Sequence, residues 1–150
     1  MLTKEKKGVR SIKWSPDGKM ISFLKSDDDT EDEIKSKENK TDVILVDKNF
    51  KYSHIYSYHL DKDTVTKVTS GNYSVNSFDY SPNGKKIIFS HQEDTNINTG
   101  FVKTDISVVD SDGNNLKILV DRPGRDGNPI FSRDGNKFAF ISSGGKQESI

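Results

Sequence analysis

The strongest constraint on this chain is that it repeats itself. Three segments are near copies: IKWSPDGKMISFL from Ile12, FDYSPNGKKIIFS from Phe78 and PIFSRDGNKFAFI from Pro129. Each sets an aromatic (Trp14, Tyr80, Phe131) before a Ser, then a turn, then an apolar stretch. The match extends further for the later two copies. Moving the segment 54–91 forward by 51 residues lays it without a gap on 105–142, with Ile55 on Ile106, Asp61 on Asp112, Ser81 on Ser132, Gly84 on Gly135 and Phe89 on Phe140. A period in this range, in units made of short strands, is the signature of propeller blades.

Turn chemistry explains why the copies fold as hairpins. In Ser15-Pro16-Asp17-Gly18 the Pro presets φ, the Asp side chain bonds back to the backbone, and the Gly accepts positive φ without steric cost. Ser81-Pro82-Asn83-Gly84 repeats this, and Ser132-Arg133-Asp134-Gly135 keeps all but the Pro. Behind each turn, period-2 alternation puts Ile21/Phe23, Ile87/Phe89 and Phe138/Phe140 on one face. Ser22/Leu24, Ile88/Ser90 and Ala139/Ile141 take the other face. Strands apolar on both faces need cover on both, as between stacked blades. Third strands are expected at 54–61 and 105–112, and fourth strands at 64–69 and 115–120.

The expected fold is therefore all-β: a β-propeller fragment of four-stranded antiparallel blades, two blades plus the first hairpin of a third. One partial propeller fills 1–150, with a blade over about 11–69 carrying an acidic insertion near 26–53, a blade over about 75–120 and a half blade over about 128–143. A meander that stops after two strands leaves an open edge. The expectation is thus a piece of a longer protein, or strands supplied by another chain. EDEIKSKENK, within 31–40, could form a helix but has no apolar face.

Composition narrows the function classes. Lys+Arg and Asp+Glu both number 23, giving zero net charge, which excludes a strongly basic nucleic-acid binder. The absence of Cys excludes disulfides, thiolate-bound zinc and thiol catalysis. Only 31% of residues are hydrophobic, enough for thin stacked sheets, and no stretch is apolar enough to span a membrane. The basic start MLTKEKK is not followed by an apolar run, so the expected location is cytoplasmic.

SPDGKMISFL and SPNGKKIIFS resemble the TolB-type propeller repeat. The wider order DVILVDKNFKY, HIYSYHLD, VTKVTSGNYSVNSFDYSPNGKKIIFS, DISVVDSDG and DRPGRDGNPIFSRDG is similar to the N-terminal propeller of prolyl-oligopeptidase-type serine peptidases, in the acylaminoacyl-peptidase branch. That resemblance implies a non-catalytic segment that gates or positions peptide substrate for a C-terminal α/β-hydrolase domain. The hydrolase nucleophile elbow, G-x-S-x-G, is missing, so no catalytic residue carries over, and this chain alone is expected to hydrolyse nothing. The alternative is a TolB-like scaffold for protein–protein interaction with no associated enzyme. A third possibility is self-association through open blade edges.

Other clusters read as structural. The acidic run 26–33 lacks the spacing of a calcium loop and reads as a solvated loop. Asp110-Ser111-Asp112-Gly113 has Val108 where a third ligand would sit, and reads as a strand-joining turn. His54 and His59 point to opposite faces of a strand, and all three histidines, with His91, read as surface or rim residues. Tyr52, Tyr56, Tyr58 and Tyr73 lie near Lys48, Lys51 and Lys62, but Asp47, Asp61 and Asp63 offset those charges. Asn39-Lys40-Thr41 and Asn72-Tyr73-Ser74 are sequons that matter only in a secreted protein. No catalytic, metal-binding or cofactor-binding residue is assigned. The segments 26–53 and 92–103, lacking a strand pattern, are the expected variable surfaces.

Overall fold

A computed structural model describes residues 8–30, 34–35, 51–93 and 103–144. Its strands are β1 (Arg10–Trp14), β2 (Met20–Ser26), β3 (Ser53–His59), β4 (Thr64–Lys67), β5 (Ser74–Tyr80), β6 (Lys86–Gln92), β7 (Asp105–Asp110), β8 (Lys117–Val120), β9 (Asp126–Phe131) and β10 (Phe138–Ser142). They form two four-stranded antiparallel meanders, β1-β2-β3-β4 and β5-β6-β7-β8, and the two-stranded sheet β9-β10. The all-β expectation holds, and the only helical residues among those described are 34 and 35. The rest of 31–50, most of the acidic insertion, and 94–102 lie outside the described residues.

The repeated motif builds the same hydrogen-bond network three times. Ser15 Oγ donates to Asp17 Oδ1 at 2.6 Å and accepts the Met20 N–H at 2.9 Å, while Asp17 accepts the Lys19 N–H at 3.1 Å. Ser81 and Asn83 do the same around Lys85 and Lys86, and Ser132 and Asp134 around Asn136 and Lys137. A glycine closes each turn at φ 71° or 72°. The third and fourth strands are shorter than expected. Asn115 (φ 56°) adopts left-handed backbone, so β8 starts two residues later than expected, whereas Asp63 (φ 51°) lies in the β3–β4 turn just before Thr64, where β4 starts as expected.

The first strand of every unit is bulged, at the same place in β1 and β9 and earlier in the repeat in β5. In β1, Ser11 and Ile12 oppose Phe23 alone; in β9, Asn128 and Pro129 oppose Phe140 alone; in β5, Asn76 is the extra residue. Ser11 (φ 53°) and Asn128 (φ 49°) absorb the extra residue in left-handed backbone. Bulges bend a strand and sharpen its twist, which suits the first strand of a blade.

The core lies between the two complete sheets. Leu24, Ile55 and Val68 of the first pack against Val75, Phe78, Tyr80, Ile87, Phe89 and Val109 of the second. Each large apolar side chain so buried contributes about 1.5–3 kcal/mol. A polar seam runs beside it: Ser22 Oγ lies 2.7 Å from the Tyr80 hydroxyl and 2.6 Å from Ser57 Oγ. Equivalent aromatics differ in burial because their neighbours differ. Tyr80 rests on the first sheet and is buried, whereas Trp14, in the first sheet itself, is 59% exposed.

The last hairpin is fastened by its lead-in. Arg122 donates from Nε and Nη2 to both oxygens of buried Asp126 at 2.9 and 3.0 Å, and from Nη2 to Ser142 Oγ at 2.7 Å. Its guanidinium lies over the Phe140 ring, and it holds the Asp126 carboxyl below the usual carboxylate range. Thr104 and Asp126 exchange hydrogen bonds, tying β9 to the start of β7. The expected two-sided cover holds for β2 and β6. On β10 it does not: Ile141 is 67% exposed, with no described sheet against that face.

Candidate functional site

The three bulged strands converge on one cleft. It encloses about 260 Å³ and is lined by Ser11, Ile12 and Lys13 of β1, Ser77 and Phe78 of β5, and Asn128, Pro129 and Ile130 of β9. Ser11, Ser77 and Asn128 hold the same position in the repeat, four residues before the turn Ser. The cleft is therefore a product of the repetition itself. Hydroxyls and an amide lie beside apolar side chains, with Ile12 and Ile130 exposed at 61% and 55%. Such a surface suits an uncharged, extended ligand that offers backbone polar groups and small apolar side chains.

Asp79 clasps this region across three sheets. Its Oδ1 pairs with Lys13 Nζ of β1 at 2.9 Å, and its Oδ2 accepts the Phe131 N–H of β9 at 3.0 Å. The lysine in the lining is thus neutralised by a carboxylate that also sets the spacing of the strands. Sequence reading missed Asp79, because its partners lie 66 and 52 residues away.

The histidines require a correction. His54 is fully buried and His91 is 5% exposed, so neither is a surface or rim residue. Tyr73, on the connector between β4 and β5, covers both. Its ring centroid lies 5.4 Å from His54, 4.9 Å from His91 and 6.1 Å from Phe89. Burial pushes both imidazoles below the ordinary histidine value. His59 is the outward one and bonds Thr66 Oγ1 at 3.0 Å.

The start of the acidic run is also more ordered than a solvated loop. Asp27 pairs with Lys67 and accepts the Tyr56 hydroxyl, and Asp28 pairs with Lys25. Lys25 and Lys67 both lie over the Tyr56 ring. Burial first, then the Asp27 charge, pushes the Tyr56 phenol up to about 12. Residues 31–33 of that run are outside the described residues. Of the tyrosines weighed from sequence, Tyr56 and Tyr58 belong to β3, while Tyr52 precedes it and Tyr73 lies on a connector.

At the DSDG turn, Asp110 bonds Lys86 and Asn115, and Asp112 bonds Asn114. Among the described residues, no three His, Asp or Glu side chains converge as a metal would require. No helix among them is long and apolar enough to cross a membrane.

Comparison with known proteins places this geometry. The family described as the dipeptidyl peptidase IV (DPP IV) N-terminal region matches residues 29–148. No curated protein sequence matches the chain. Among solved structures, TolB from Acinetobacter baumannii is 21% identical with a TM-score of 0.62, over 97% of this chain and 30% of that one. The putative TolB from Agrobacterium tumefaciens is 26% identical with a TM-score of 0.60, over 94% of this chain and 40% of that one. The tricorn protease is 17% identical with a TM-score of 0.64, over 93% of this chain and 11% of that one. The chain therefore spans 40% or less of the length of each of these three structures.

Proposed function

From the premise that this chain belongs to the family of dipeptidyl peptidase IV N-terminal regions, we propose that it is a non-catalytic propeller segment that positions or gates peptide substrate for a serine peptidase. The enzyme type is prolyl-oligopeptidase-like, in the acylaminoacyl-peptidase branch, with a C-terminal α/β-hydrolase domain as the working partner. The observation that carries this reading is the cleft formed by the repeat-equivalent residues Ser11, Ser77 and Asn128. Its neutralised, part-apolar lining matches short uncharged peptide better than nucleic acid or a charged metabolite.

Titration of the chain with short N-acylated peptides, followed by amide NMR, tests the reading. Signals of Ser11–Lys13, Ser77–Phe78, Asn128 and Ile130 should move saturably, with no cleavage product. Peptides that leave all of these signals in place refute peptide positioning at the cleft. Cleavage that survives substitution of every Ser refutes the non-catalytic role.

A second reading, a TolB-like scaffold for a protein partner, is favoured by the 26% identity to the putative TolB over 94% of this chain. It predicts that a folded protein, rather than a short peptide, moves signals on the exposed loops.

A further inference from the structure

The first two sheets are joined by the connector 68–73, and its one large side chain, Tyr73, is held between two buried imidazoles. His54 comes from β3 of the first sheet and His91 from β6 of the second, so the three rings staple one sheet to the other. Each imidazole has one hydroxyl partner: His54 Nδ1 lies 3.3 Å from Thr69 Oγ1, and His91 Nε2 lies 2.8 Å from Ser107 Oγ. The remaining ring nitrogens, His54 Nε2 and His91 Nδ1, are buried without a hydrogen bond. A neutral imidazole tolerates this better than an imidazolium, which must donate from both nitrogens while carrying charge.

We propose that this seam is an acid-operated latch: protonation of His54 and His91 releases Tyr73, and the two sheets part along the connector. The latch does not depend on whether the cleft binds peptide.

The charges facing each ring do not outweigh the cost of burying a cation there. His54 faces Asp27 at 3.6 Å, but that carboxylate also pairs with Lys67, whose charge opposes protonation of the ring. Lys25 is the cross-strand neighbour of His54, Tyr52 and Tyr73 cover its faces, and the Gly71 backbone favours the charged form. His91 faces Asp105 and Glu93, which favour its charge, and Lys103, which opposes it. Asp105 is itself engaged by Lys103 at 3.2 Å, and burial raises its own carboxyl above the usual range. Desolvation is the largest influence on both histidines, and it acts against the charged form. The direction follows. Between the depressed folded values and the ordinary value of 6.5, the folded state binds fewer protons than the unfolded chain. The seam is therefore intact above that value and loses stability as the pH falls from it towards the depressed folded values.

Hydrogen exchange of the full chain at about pH 7.5 and about pH 5, corrected for intrinsic chemistry, tests the latch. Amides of 68–75 should lose protection by about tenfold or more at the lower pH, while the central β6–β7 amides keep theirs. In the double variant His54→Gln/His91→Gln that pH dependence should vanish. Protection at 68–75 that is independent of pH overturns the proposal, as does a pH response that persists in the double variant. Should the variant not fold, NMR titration of the imidazole C–H signals in the unmodified chain decides. Both rings titrating below 6.5 supports the latch, and either titrating at or above that value overturns it.

Discussion

Gly113 gives the sharpest test of how the two complete sheets fit together. It closes the β7–β8 turn at φ 92°, with its N–H on the Asp110 carbonyl at 2.8 Å. A Cβ placed there would lie 2.8 Å from the Val68 carbonyl oxygen, 3.6 Å from its carbon and 3.7 Å from its Cα. Val68 has little room to retreat, since it is buried and its N–H is bound to the Ile55 carbonyl at 2.8 Å. Gly113→Ala therefore carries two costs: about 1–2 kcal/mol for the left-handed backbone and about 1–3 kcal/mol for overpacking against fixed main chain. Gly18→Ala is the control, with φ 71° and nothing within 4 Å of the added carbon. It should lose only the first part, about 1–2 kcal/mol. Urea unfolding of both variants, compared with the parent at common slope, reads the difference as a midpoint shift of about 1 M. Gly84→Ala and Gly135→Ala, at φ 71° and 72° and 3.4 Å from Pro16 and Pro82 respectively, should fall with Gly18→Ala. If Gly113→Ala unfolds no earlier than Gly18→Ala, the contact with Val68 does not constrain the packing and the reasoning fails.

Tyr80→Phe removes a buried hydroxyl but leaves Ser22 bonded to Ser57, so chemical denaturation should register a loss of about 1 kcal/mol. Asp126→Asn breaks the paired hydrogen bonds from Arg122 and should lower stability by about 2–3 kcal/mol, read in the same way. Because Arg122 depresses Asp126, the stabilisation is complete above the ordinary value of 3.8 and disappears as the pH falls through the lower folded value. Acid unfolding of Asp126→Asn should lack that component. Asp79→Ala frees Lys13 and the Phe131 N–H, and the amide of Phe131 should exchange at least severalfold faster while that of Phe89 does not change.

Local chemistry made the hairpins legible. The Ser and the Asp or Asn of each turn bond backbone groups within five residues, so the motif carries its own structure wherever it stands. The all-β architecture followed from repeating it. Depth did not follow. Strand parity places His54 and His59 on opposite faces, but it does not reveal that Tyr73 folds over one of those faces and closes it off from solvent. Asp79 and the cleft beside it depend on distances between sheets, which no stretch of sequence encodes locally. The bulges escaped for a related reason: in Ser11 and Asn128 the left-handed backbone falls on residues other than glycine, leaving no marker for it. The late start of β8 follows the same pattern at Asn115.

Trp14 occupies the position at which Tyr80 meets the preceding sheet, yet it lies open on the first sheet. It is also the single tryptophan of the chain. The molecule therefore carries an intrinsic optical probe at one defined surface. Indole emission moves to shorter wavelength when water is excluded, so anything that comes to rest on that sheet, whether further chain or another protein, announces itself in the fluorescence spectrum without a label.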